Sequence, residues 1–220
     1  MNEMSKVAVS YSGGKDSALA FYRARKSGYD PISLVITYNN SVGRSWFHGV
    51  PEDVLRNVAA SIGLPIEIAA VGSGDDYGRD FESALERLRG RGVQACVFGD
   101  IDIAAHKQWC ETRCHNADIK SIFPLWQENR RALVYELIDA GFKAVITIVD
   151  TTALSEKFLG KTLTRALADE IDAAGADICG ENGEYHSFVY DGPIFNERVN
   201  VTFRDVMRSG NYAILPVTMA

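Results

Sequence analysis

The sequence predicts an α/β fold, a parallel sheet covered by helices on both faces, with a smaller α+β part at the C-terminus. Two patterns carry this. Short apolar, β-branched runs alternate with amphipathic segments through the first part of the chain, the signature of β-α-β units. The last third changes to short strands separated by turn residues, which suggests antiparallel pairing.

Taken in order, Lys6–Ser10 is a β-branched run that stops at a Ser/Gly cluster. An amphipathic helix follows, with Ala18, Leu19, Phe21 and Tyr22 on one face and Gly28 near its end. Residues 32–37 form a buried strand by their short apolar composition. Glu52–Ile62 is helical, with Gly63 as C-cap and Pro65 just beyond. Ile66–Val71 is a third strand, followed by a Gly/Asp loop over 72–78 and a helix over 81–88. A fourth strand, 95–98, ends at Gly99-Asp100. Helices are expected over 105–115 and 133–140, and a further strand over 144–149. In the last third, 162–174 is helical, while 187–190, 200–203 and 213–217 are short strands. A boundary near 121–124 divides the chain into parts 1–122 and 123–220, with no flexible linker, repeat or low-complexity tract.

Composition narrows the function classes. The chain has 220 residues, 46% hydrophobic and 24% charged, with a net charge of −6. That is the composition of a globular protein, and its acidic balance argues against stable nucleic-acid binding. No apolar run approaches the roughly 20 residues that span a bilayer. Four irregularly spaced cysteines do not form a disulfide framework. The expectation is a cytoplasmic protein in a reducing compartment.

The strongest motif is Ser12-Gly13-Gly14-Lys15-Asp16-Ser17, set between the first strand and the first helix. Glycines let backbone N–H groups approach phosphate oxygens, and the helix that follows directs its amides and positive dipole end to the same place. Lys15 adds a charge and the Ser12 and Ser17 hydroxyls add donors, with Ser10 at the strand end beside them. Asp16 cannot favour a bare anion and is assigned to a phosphate-bridging Mg²⁺. A Walker A loop is excluded, because Val9 stands where its first glycine belongs and Asp16 follows the lysine. The segment resembles the PP-loop of ATP pyrophosphatases, Ser-Gly-Gly-x-Asp-Ser. That resemblance implies a Rossmann-like sheet with ATP at the strand carboxyl ends, and cleavage of ATP between its α and β phosphates.

A second cluster, Gly180-Glu181-Asn182-Gly183-Glu184-Tyr185-His186-Ser187, gathers carboxylates, an imidazole, an amide and a phenol around glycine. Such groups bind a cation, orient an amine or move a proton. With the first motif, and with Trp46-Phe47-His48-Gly49-Val50-Pro51, Val97-Phe98-Gly99-Asp100-Ile101, Pro124-Leu125-Trp126 and Phe158-Leu159-Gly160-Lys161, the chain resembles the diphthine–ammonia ligase family nearly end to end. The resemblance implies amidation of a carboxylate by ammonia, with ATP converted to AMP and pyrophosphate. It makes 1–122 the ATP-binding part and 123–220 the substrate-binding part. Ser12 to Ser17 would hold ATP phosphates and Mg²⁺, and Asp100 the metal or the amine. Glu181, Asn182, Glu184, Tyr185 and His186 would shape the acceptor pocket, with Glu181 and Glu184 placed among the catalytic groups. His48 would contact substrate and Lys161 would neutralise departing pyrophosphate.

The family typically carries Glu-Gly-Gly-Glu-Tyr-Glu-Thr where this chain has Glu181-Asn182-Gly183-Glu184-Tyr185-His186-Ser187. A carboxylate suited to the trimethylammonium of diphthine has become an imidazole. The form resembles that of bacterial relatives, for which corrinoid amidation is one suggestion, and the acceptor stays open. Ammonia is free or supplied by a partner, and a homo-oligomer is compatible with the sequence. The competing readings are a PP-loop enzyme that modifies tRNA and a module that senses adenine nucleotides without turnover. Cys110 and Cys114 share a helix face but lack a second pair, so they are read as buried helical thiols. Arg87, Arg89 and Arg91 are read as a solvated helix end, Trp46, Trp109 and Trp126 as core or pocket wall, and Tyr77 as a nucleotide cover.

Overall fold

The computed structural model describes residues 5–39, 43–45, 48–71 and 77–220. Trp46 and most of the Gly/Asp loop therefore lie outside the described residues.

The first half builds a parallel sheet. Strand β1 (Lys6–Ser10) pairs with β2 (Asp30–Asn39) on one side and β5 (Ala95–Val97) on the other. Strand β4 (Ile66–Val71) lies outside β2, and β6 (Lys120–Ile122) lies outside β5. Strand β3 (Arg44–Ser45) adds a short antiparallel pairing at the end of β2. The chain winds outward from β1 in one direction and then, from β5, in the other. The loops after β1 and β5 therefore diverge at a topological switch point, where open α/β sheets form a crevice for ligands.

Both faces are covered, and the period of two along β1 shows how. Val7 and Val9 face a core built with α1 (Lys15–Lys26), α2 (Glu52–Ile62) and α5 (Arg130–Asp139). Ala8 faces a second core built with α3 (Tyr77–Gly90) and α4 (Ala104–Asn116). Helix α2 ends as its sequence predicts, with Gly63 at φ 81° and its N–H bonded to the Ala59 and Ala60 carbonyls.

The expected strand over 144–149 is present as β7 (Lys143–Asp150), but it does not extend the parallel sheet. It pairs antiparallel with β8 (Tyr185–Asp191) and with β11 (Tyr212–Ile214), and β10 (Met207–Ser209) closes that second sheet. The run Lys-Ala-Val-Ile-Thr-Ile-Val-Asp is buried along nearly its whole length. Such a run gives no alternation to separate the two sheet types. The parallel sheet ends instead at β6, whose Lys-Ser-Ile sequence carries little strand signal.

Residues 213–217 divide into β11 and β12 (Val217–Met219), which pairs with β9 (Val201–Phe203). Helix α6 (Arg165–Ala173) matches its expected segment. The arginines at the end of α3 are not merely solvated. Arg87 and Arg91 reach back to Glu67, whose carboxylate is 9% exposed, at 2.6 and 3.0 Å.

The two sheets share one core, since Val9, Leu34 and Leu55 belong to the same buried cluster as Ile146, Phe188 and Val217. Strand β8 is also tied directly to the loop after β1: Val189 donates its N–H to the Gly13 carbonyl at 2.8 Å.

Candidate active site

The phosphate loop begins where β1 ends, with Tyr11 N–H bonded to the Val35 carbonyl at 2.9 Å. Gly13 takes φ 85°, in the left-handed region that glycine enters without strain. Gly14 lies against His48, and a Cβ there would sit 2.6 Å from the imidazole Cε1. Ser17 Oγ donates to the Gly14 carbonyl at 2.9 Å and lies 3.2 Å from Ser12 Oγ, drawing the two hydroxyls together over the turn. Helix α1 starts without a side-chain cap, and its first amide, on Lys15, donates to Ser187 Oγ of β8 at 3.3 Å. An uncapped helix start behind a glycine turn is a strong anion-binding arrangement. The Lys15 side chain is 7% exposed, with Nζ 2.7 Å from Asp16 Oδ2 and 5.6 Å from the centre of the Tyr185 ring. Burial opposes its charge, but Asp16 and the neighbouring acidic groups outweigh that, so the ammonium is held firmly protonated.

The opposite wall comes from β8 and the turn before it. Tyr185 is buried, and its hydroxyl donates to the Ile178 carbonyl at 2.7 Å. His186 and His48 meet edge to face, with ring centres 5.2 Å apart. Both imidazoles are held neutral. Burial lowers His48 to about 3, helped by His186 and Lys15, and burial followed by Lys15 lowers His186. Glu181 is driven the other way: burial, then the charge of Asp16, raises its carboxyl to about 7.

A third wall comes from the loop after β5. Gly99 sits against the start of α1, where a Cβ would lie 2.7 Å from the Asp16 carbonyl carbon and 2.8 Å from Ser17 N. Asp100 follows it, with Cys110 Sγ 3.8 Å from its Oδ2 and its pKa raised mainly by burial. Between the walls lies a cavity of about 480 Å³. Its far side is aromatic: Trp109 packs at 5.4 Å on both Tyr77 and Phe81, with Phe98 beyond. One end of the cavity is thus charged and rich in donors, and the other is flat and π-rich.

The family model described as diphthamide synthase N-terminal domain matches residues 5–121. The model described as diphthamide synthase C-terminal domain matches residues 129–215. The chain belongs to the diphthamide synthase family. It is 27% identical to a diphthine–ammonia ligase of Bos taurus, over 96% of this chain and 88% of the relative. It is 26% identical to that of Schizosaccharomyces pombe, again over 96% of this chain but only 39% of the longer yeast protein. A solved structure from Methanocaldococcus jannaschii, titled as a predicted subunit of tRNA methyltransferase, aligns over 86% of the chain. At a TM-score of 0.42 and 15% identity, that likeness does not bear on function. The family membership and ligase class expected from the sequence are borne out by these matches.

Within this diphthamide synthase family member, the structure brings most of the expected residues to one cavity. Ser10, Ser12, Lys15, Asp16, Ser17, His48, Asp100, Glu181, Tyr185 and His186 all line it, and Gly13 and Gly14 form the turn between them. Three expected residues do not reach it. Lys161 is exposed beyond β7, its Nζ 5.5 Å from the Phe158 ring centre. Asn182 is exposed and gives its amide N–H and Nδ2 to Glu184 at 3.1 and 3.0 Å. Glu184 is buried behind the wall, with Oε1 also accepting the Asp177 N–H at 3.0 Å. Its role in this geometry is to hold the turn that carries Glu181.

The sequence reading missed the aromatic end apart from Tyr77 and Trp109, since Phe81 and Phe98 look like ordinary core in a sequence. Trp126 packs on Phe123 at 6.2 Å outside the cavity. Cys110 and Cys114 are buried as expected, although Cys110 also reaches the cavity wall. Among the described residues, no cluster of three metal-binding side chains forms.

Proposed function

We propose that this protein adenylates a carboxylate with ATP and passes the acyl group to ammonia. The observation that carries this reading is the convergence at one cavity of an anion-binding loop and a titratable turn from a separate sheet. In this reading the phosphates of ATP lie on the loop of Ser12 to Ser17, with the adenine towards the aromatic end. The acceptor carboxylate oxygen attacks the α-phosphorus and pyrophosphate leaves. Lys15 and the loop amides are fixed before the reaction where negative charge develops, which is electrostatic stabilisation without reorganisation.

Asp16 lies on that loop with its side chain 28% exposed. Mg²⁺ commonly uses one or two carboxylates together with substrate phosphates, so Asp16 fits such an ion. When bound, the ion neutralises phosphate charge. Ammonia then attacks the acyl carbon and AMP departs. The Glu181 carboxyl titrates near neutrality, which suits it to take a proton from the attacking amine. The neutral His48 and His186 rings border the acceptor end. Diphthine is the acceptor named for the relatives. Here His186 offers an uncharged ring, and the acceptor is proposed only as a small or protein-borne carboxylate.

The test is product analysis with ATP, Mg²⁺, ammonia and a panel of carboxylates, comparing wild type with Asp16→Ala. The reading expects acceptor-dependent AMP and pyrophosphate that disappear in the variant. ADP and phosphate would overturn it. Tight ATP binding without products across the panel would favour a nucleotide sensor. Lys161→Ala separates geometry from motif resemblance: from its exposed position it should keep wild-type turnover.

A further inference from the structure

Two of the loops that line the cavity each carry an acidic group. The loop after β5 carries Asp100, and the turn before β8 carries Glu181. One side chain spans them. Arg130 is the first residue of α5, just after the Asn129 cap. Its Nε and Nη2 donate to the two oxygens of Asp102 at 2.8 and 2.7 Å, a planar fork on a carboxylate. Its Nη1 donates to Asp177 Oδ2 at 2.7 Å. That same Asp177 oxygen accepts the N–H of Glu181 at 2.8 Å. The Arg130 carbonyl accepts from Cys179 Sγ at 3.2 Å, and Asp177 N–H is held by Glu184. The guanidinium is thus one bond from the residue two places beyond Asp100, and one carboxylate away from the backbone of Glu181.

The geometry points to Arg130 as a positioning residue that sets the separation of Asp100 and Glu181. This rests on the proposed reading of Glu181 as the group that takes a proton from the attacking amine. Exposed ion pairs are ordinarily worth little. This one differs because Asp177 is only 11% exposed, the Asp102 contact is bidentate, and both carboxylates are bound at once. Lysine keeps the charge but not the fork, so it cannot hold both partners in the same geometry. The Arg130 charge also favours ionisation of Glu181.

The test compares Arg130→Met, Arg130→Lys and Asp102→Asn in the full chain, by steady-state kinetics across pH and by amide hydrogen exchange at Glu181. A misplacement on the order of 1 Å costs about 100-fold in rate. Arg130→Met is therefore expected to lose roughly 10- to 100-fold in kcat, while KM for ATP changes little because the phosphate loop is untouched. Its acid limb should move to higher pH, and the Glu181 amide should exchange faster. Arg130→Lys should keep the acid limb near wild type with an intermediate kcat. Asp102→Asn, which loosens the clamp from its other end, should repeat the loss of kcat if Arg130→Met does not fold. Folded Arg130→Met with wild-type kcat and wild-type exchange at Glu181 would overturn the assignment. So would a loss of kcat with neither the acid limb nor the exchange altered. Glu181→Gln with normal turnover would remove the catalytic reading of Glu181, while the exchange measurement would still decide whether Arg130 holds the turn.

Discussion

Glu181 and Glu184 sit on one short turn, yet their surroundings drive them in opposite directions. Glu181 faces the cavity, where burial and then Asp16 raise it to about 7. Glu184 is also opposed by burial, but hydrogen bonds from the Asn182 side chain and from turn amides prevail, and its pKa is lowered. The consequences for stability have opposite signs. A raised carboxyl disfavours the folded state once it ionises, so Glu181→Gln should raise Tm at pH 8, and the difference should vanish near pH 4. A lowered carboxyl stabilises the fold when ionised. Glu184→Gln should therefore lower stability at neutral pH, by about 1.5–3 kcal/mol for bonds to a charged group. Its gap to wild type should close as the pH falls through the depressed value, below the ordinary glutamate range. Thermal melts between pH 3.5 and 8.5 read both effects, and parallel curves for the two variants would refute the division of roles. The sequence placed both carboxylates in the right segment but could not separate them. Which one faces the cavity depends on the turn closing through Gly180 at φ 69°, packed against Tyr185, a tertiary fact without local signal.

At the scale of elements, the site depends on how closely the loop after β5 approaches the start of α1. Gly99 permits that approach, because any Cβ would meet backbone atoms that cannot swing away. Gly99→Ala should thus cost about 1–3 kcal/mol, as overpacking does, and should weaken ATP binding along with stability because the displaced backbone is the phosphate loop itself. Calorimetric titration with ATP alongside a denaturation curve checks this, and unchanged affinity in a destabilised variant would contradict it. The first strand, its glycine turn and α1 were legible because their signals are local: β-branched residues, then glycines, then a helical face. Strand β7 was legible as a strand but not as a member of the antiparallel sheet, since partner choice for a fully buried run depends on the rest of the chain. Strand β10 was not legible at all, as Met207 to Ser209 are exposed throughout and join the sheet through β11.

At the scale of the whole molecule, the phosphate loop belongs to one sheet and is buttressed by the other. Phe188 is fully buried, its ring lies 3.4 Å from where a Gly13 Cβ would stand, and it belongs to the cluster that includes Val9 and Leu34. The parallel sheet therefore has no complete core on its α1 face without β8. Two consequences follow for unfolding. The two parts should melt together, with calorimetric and van't Hoff enthalpies in agreement. Phe188→Ala should lower stability by about 3–5 kcal/mol, as removal of a buried aromatic ring does, while keeping a single transition and also reducing ATP affinity. Scanning calorimetry of wild type and variant, with and without ATP, is the measurement. Two resolved transitions, or a variant that loses stability only in a late transition while ATP still shifts an early one, would mean that residues 1–122 hold the nucleotide without help from β8. A single transition that ATP shifts as a unit would mean that the binding loop and its buttress fold as one body.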